Sequence, residues 1–170
     1  MSDLSLPAPL WRRLAAATYD GLLLIALWMV ALLLDVLLRD LLSLEREWHA
    51  LRAYVFLIGY GFFAWFWTHG GQTLGMRAWR LYVQRRDGTP PGWISAMARY
   101  ATMLLVWGIA LTPLLLRLPR LSQWPLASTL SAAAVVATIA MLLAWRLDPQ
   151  RRAPQDWFSD SAIVLRTRTD

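Results

Sequence analysis

Four apolar runs, parted by three polar stretches and followed by a polar tail, set the plan of the chain. The first occupies positions 11–38, and within it positions 14–34 hold 21 residues with a single charge, Asp20. At about 1.5 Å per residue, a helix of that length crosses the roughly 30 Å hydrocarbon layer of a bilayer. The pattern predicts an all-α membrane protein with four transmembrane helices and a small cytoplasmic two-stranded element. The spans are expected near 12–38, 51–68, 94–116 and 126–145 in one integral domain over 1–170. The first run is too long for a signal-peptide core, and Ala15, Ala16 and Ala17 precede its most apolar part, so it reads as a retained anchor.

The polar stretches carry weaker signals. Positions 1–10 hold Pro7 and Pro9 and no periodicity, which predicts an unordered lead-in. Leu41, Leu44, Trp48 and Leu51 recur at helical spacing over 40–52, which predicts a short interfacial helix. In the loop 69–93, Asp87-Gly88 and Pro90-Pro91-Gly92 are turn signals, and the preceding 80–84 has strand composition. The tail 146–170 is polar except for the SAIVL run at 161–165, far too short to span. Neither strand-like segment can bury its apolar face alone, so the two are predicted to pair. Gly59 and Gly61 predict close backbone approach in the second span, Pro113 a bend in the third, and Ala127 with Ser131 a tight packing face in the fourth.

Composition supports this plan: the chain is 58% hydrophobic with mean hydropathy +0.41. All 17 basic residues are arginines, and twelve lie on the side of the termini and the long loop against five on the other side. The positive-inside rule then places both termini in the cytoplasm. The same distribution explains the pI of 10.7 without a polyanion, so no nucleic-acid partner is predicted. The absence of cysteine excludes disulfides and thiolate chemistry.

The chemistry on offer is narrow. His49 and His69 fall on opposite faces of the membrane in this topology, so they cannot share a catalytic or metal site. The glycines of GGQTLGMR match neither a Walker A nor a dinucleotide pattern. No catalytic residue, metal ligand or cofactor is predicted, and the chain does not read as an enzyme. What remains is a group of charges at the cytoplasmic ends: Arg12, Arg13, Asp20, Arg99, and the tail's Asp148, Arg151, Arg152, Asp156 and Asp160. An aspartate within a span needs a partner, water, a cation or a proton. Depth along the helices matches Asp20 to Arg99, with Arg13 and Asp156 converging on the same carboxylate. Such a cluster either fixes helix register or binds a monovalent cation or proton, and both roles stay open.

Three stretches, RRLAAATYDGLLL, GQTLGMRAWRLYVQRRDGTPPGWISAMARY and RRAPQDWFSDSAIVL, together resemble the RDD family of bacterial membrane proteins. The resemblance implies that the family arginine falls on Arg13 or Arg12, the first aspartate on Asp20 and the second on Asp156. It also implies that Gly71, Thr73, Leu74, Gly75 and Arg77 form the family's loop motif, with Val83 in the strand-like segment after it and Arg99 early in the next span. Family members often carry a histidine before the second aspartate and a glycine four residues after it, where this chain has Gln155 and Asp160. What the resemblance implies is an inner-membrane protein concerned with ion or small-solute transport. The alternative is a non-transporting assembly protein that engages a cytoplasmic partner or anionic lipid. Four short spans leave little room for a lumen, so transport implies a homo-oligomer.

Overall fold

A computed structural model of the chain describes residues 5–45, 47–149 and 151–166. In chain order its elements are β1 (Ser5–Pro7), α1 (Leu10–Leu42), α2 (Trp48–Gly70), α3 (Leu74–Ala78), β2 (Leu81–Arg85), α4 (Trp93–Leu115), α5 (Ala127–Leu147), α6 (Pro154–Phe158) and β3 (Ser161–Arg166). The four long helices α1, α2, α4 and α5 are each long and apolar enough to cross a membrane. They neighbour one another in chain order, α1 against α2, α2 against α4 and α4 against α5. Their outward faces are apolar, with Leu22, Met29 and Ile94 all exposed, as suits helices solvated by lipid.

The expected strand pairing is present: β2 runs antiparallel to β3 with Leu81 opposite Leu165 and Arg85 opposite Ser161. The sheet gains a third strand from the segment predicted to be unordered. β1 pairs with the other edge of β3, Pro7 opposite Val164, giving the order β1-β3-β2. An edge strand tolerates a proline because one row of its N–H groups needs no partner. Positions 1–4 lie outside the described residues. Because β1 leads into α1, β2 follows α2 through α3, and β3 follows α5 through α6, one end of every long helix meets this sheet. That end is called the sheet end below, and the opposite one the far end.

The core lies near the sheet end, where Ala16 and Leu24 of α1, Phe63, Ala64 and Trp67 of α2, Met76, Leu81, Val83, Ala96 and Tyr100 form one buried cluster. Phe63 stacks on Trp67 with ring centroids 5.0 Å apart and lies 5.8 Å from Tyr100. Gly59 permits that packing, since a Cβ there would collide with the Tyr100 hydroxyl. Gly61 has open space around it and makes no such approach. On α5, Ala127 and Ala134 are the buried small residues, and Pro113 lies inside α4 two residues before its end.

At the far end, the interfacial helix expected over 40–52 is not a separate element. α1 runs on through Leu42, stops at Ser43 in the left-handed conformation (φ 53), and α2 begins at Trp48; Arg46 lies outside the described residues. The apolar positions are divided between two long helices because Arg39 bridges Asp35 one turn back at 2.9 Å and donates to the Glu45 carbonyl at 2.8 Å. Those bonds hold the last turn of α1 helical up to its cap.

Candidate functional site

Two carboxylates are buried at the sheet end, and they are held in different ways. The first is Asp156, fully buried in α6. Its Oδ1 accepts from Arg99 Nη1 at 2.6 Å, and its Oδ2 accepts from Arg13 Nη1 at 2.8 Å. Oδ2 also accepts the backbone N–H of Ala153 at 2.9 Å, so the same group secures the first turn of α6. Each arginine has further anchors in the tail. Arg99 Nη1 donates to Ser161 Oγ at 2.8 Å, and Arg13 Nη2 donates to the Ile163 carbonyl at 3.2 Å. The Arg99 guanidinium also lies over Trp67, 5.2 Å from the ring centroid. Around them Ser159 and Ser161 share a hydrogen bond, and Ser95 donates to the Ser159 carbonyl. One carboxylate therefore ties the starts of α1 and α4 to α6 and β3.

Asp20, in α1, faces α3 instead. Its Oδ1 accepts the backbone N–H of Gly75 at 2.8 Å, and its Oδ2 accepts the Thr73 hydroxyl at 2.5 Å. Thr73 caps α3 by accepting the Met76 N–H at 3.2 Å. Glycine is required at 75, because a Cβ would lie 2.9 Å from Asp20 Cγ and closer still to the Ala16 carbonyl. Gly71 makes the turn out of α2 with φ +65, accepts the Val83 N–H at 2.7 Å, and leaves 2.6 Å between a notional Cβ and the Val83 carbonyl. The G-x-T-L-G segment is thus a fitted cradle in which two glycines permit backbone contact and Thr73 with Gly75 donate to one carboxylate.

The expected pair of Asp20 with Arg99 does not form, and Arg13 and Asp156 do not converge on Asp20. Both arginines meet Asp156 instead. The reason lies in side-chain direction. Helical side chains lean toward the helix N-terminus, and both α1 and α4 begin at the sheet end. Arg13 and Arg99 therefore reach outward to α6, while Asp20 stands seven residues deeper than Arg13, about 10 Å along the axis at 1.5 Å per residue. Among the described residues no arginine lies within salt-bridge distance of the Asp20 carboxylate.

The remaining sequence candidates lie outside both shells. The Arg12 guanidinium sits over Trp11, 5.1 Å from the ring centroid, and Leu74 and Arg77 are exposed on α3. His49 and His69 fall at opposite ends of α2. No group of three His, Cys, Asp or Glu that could hold a metal occurs among the described residues. Sequence reasoning missed Ser161, Ser159, Trp67 and the Ala153 N–H as parts of the Asp156 network. It also grouped Thr73 and Gly75 in a motif without assigning them to Asp20. A threonine just before the helix-forming LGMRA is an N-cap signal that would have placed Thr73.

No curated protein and no solved structure matches the chain. The model of the RDD family matches residues 7–160. That match takes in both aspartates, the two arginines that share Asp156, and the whole cradle around Asp20, and the chain belongs to the RDD family.

Proposed function

We propose that this membrane protein moves a monovalent cation or a proton, that Asp20 is the group that takes it up, and that the Arg13–Asp156–Arg99 network is a structural latch. One observation carries the reading: Asp20 is a buried carboxylate, within a helix fit to span a membrane, whose hydrogen-bond donors are a hydroxyl and an amide N–H, both neutral. A carboxylate so placed has a charge that a proton or small cation can neutralise. Asp156 is already neutralised by two guanidinium groups and has no such capacity. The arginine asymmetry supports cytoplasmic placement of the sheet end in a bacterial inner membrane. Four spans leave little room for a lumen in one copy, which supports a path completed by a second copy of the chain. Nothing in this scheme requires a catalytic group or a cofactor.

Flux of monovalent cations and protons in proteoliposomes tests the proposal. Asp20→Asn is expected to abolish flux while the protein stays inserted, because the amide keeps the shape and loses the titrating charge. Wild-type flux in Asp20→Asn overturns the role of Asp20. The competing reading, a non-transporting assembly protein, is favoured by the fact that both Asp20 oxygens already have donors. It predicts wild-type flux no greater than that of protein-free liposomes.

A further inference from the structure

The face of α3 that points away from Asp20 has its own chemistry. Gly75 and Met76 are buried against α1, whereas Leu74 and Arg77, three residues apart on the helix, are both exposed. Trp79, which ends α3, meets Trp11 edge to face with ring centroids 5.3 Å apart. Arg12 lies over that same Trp11 ring, and Arg80 follows Trp79 as an exposed residue held in the left-handed conformation at φ 56. The first turn of α1 and the whole of α3 contain no acidic residue. Two tryptophans in contact, one exposed leucine and three arginines therefore sit together where the first span leaves the membrane.

We infer that the face formed by Trp11, Arg12, Leu74, Arg77, Trp79 and Arg80 is a docking surface for the headgroup of an anionic phospholipid. Charge complementarity selects the ligand: a phosphodiester with a net negative charge meets three guanidinium groups, and neither the first turn of α1 nor α3 brings a carboxylate to the face. Continuity with the span selects its source. Leu14 and Leu22 are exposed on α1 below this face, so acyl chains of a lipid bound there run along α1 while its phosphate stays level with the tryptophans. A free phosphate satisfies the arginines but leaves the exposed surfaces of Trp11 and Leu74 uncovered. The inference stands apart from the cation reading of Asp20. It does add a link, because α3 presents this face on one side and holds Asp20 through Gly75 and Thr73 on the other.

Association of spin-labelled phosphatidylglycerol and phosphatidylcholine with the full-length protein in bilayers tests the proposal. Wild type is expected to favour phosphatidylglycerol by at least about fivefold, the factor that a single basic side chain near the surface contributes. The preference should shrink as salt is raised from about 0.05 to about 0.5 M, which shortens the screening length several-fold. The triple variant Arg12→Gln/Arg77→Gln/Arg80→Gln should bring the two lipids close to parity with unchanged helix content. Arg52→Gln/Arg117→Gln/Arg120→Gln, at exposed far-end positions, should keep the wild-type preference. Equal association of both lipids with wild type overturns the proposal. So does a full preference in the first triple variant, or its loss on adding inorganic phosphate at constant ionic strength.

Discussion

Asp156 and Asp20 are both buried carboxylates at the sheet end, yet one is surrounded by charge and the other by neutral donors. Asp156 reaches its site on a five-residue helix in the tail and meets two arginines from the starts of α1 and α4. Asp20 sits in the long helix itself and meets a hydroxyl and an amide from the α2–β2 connection. The first arrangement joins four elements through ion pairs that only a large disruption can open. The second joins α1 to α3 through hydrogen bonds that survive a change of protonation or a switch to an amide. On the proposed reading the two aspartates divide the labour, Asp156 fixing the fold and Asp20 carrying a charge that can change.

The sharpest way to break this comparison is to neutralise Asp156. Asp156→Asn leaves two buried guanidinium groups facing an amide, and losing one member of a buried ion pair costs about 3–5 kcal/mol. Abundance of folded protein in membranes should collapse, and unfolding in detergent should shift by that amount. Replacing the network together, as Arg13→Met/Arg99→Met/Asp156→Leu, should restore much of the stability, because no uncompensated charge then remains. Stability of Asp156→Asn equal to wild type would remove the latch.

A smaller effect is expected at the cradle. Gly75→Ala forces a methyl against Asp20 and the Ala16 carbonyl, so α3 must move off α1 at a cost of about 1–3 kcal/mol. Thermal unfolding in detergent reads the loss. Asp20→Asn itself should cost only about 1 kcal/mol, since its amide oxygen can still accept from Gly75 and its NH2 can donate to Thr73. A loss at Asp20 as large as the one at Asp156 would mean that both carboxylates are structural.

How far the sequence led differs between these same two groups. The lengths of the apolar runs set all four long helices, and the unburied apolar faces of 80–84 and 161–165 foretold their pairing. Depth arithmetic along α1 and α4 then matched Asp20 to Arg99, because it could not see the tail fold back and deliver Asp156 between their starts. The third strand was hidden for a related reason: Pro7 and Pro9 read as disorder until β3 supplies the edge against which β1 lies. Long-range pairing depends on which short segments meet after the helices have packed, and no local pattern encodes it.

The glycine that the resemblance implies at position 160 has a conformational explanation. Asp160 holds φ at 45 in the turn between α6 and β3, a left-handed conformation that costs a residue with a Cβ about 1 kcal/mol. Its exposed ion pair with Arg86, at 3.1 Å, returns about 0–1 kcal/mol. Asp160→Gly is therefore expected to stabilise the protein by no more than about 1 kcal/mol. Chemical denaturation in detergent checks the sign, and a loss above that size would mean that the Arg86 pair outweighs the backbone term.

The smallest effect belongs to a third carboxylate that repeats the chemistry of Asp20 in water. Asp87 Oδ1 accepts the Thr89 hydroxyl at 2.6 Å and the Thr89 N–H at 2.9 Å in the exposed turn after β2. The Thr89 hydroxyl, followed by the Thr89 amide, holds the Asp87 carboxyl below its ordinary value. A depressed folded value means that the contribution is fully present above the unfolded value, about pH 4, and is lost as pH falls through the folded one. Because water replaces both donors readily, Asp87→Asn should leave membrane abundance and flux at wild-type levels. An NMR titration of the Thr89 amide should nevertheless show its shift ending below pH 4 in wild type and absent in the variant. If Asp87→Asn impaired flux as Asp20→Asn does, the hydroxyl-and-amide arrangement would matter irrespective of burial, and the contrast that singles out Asp20 would fail.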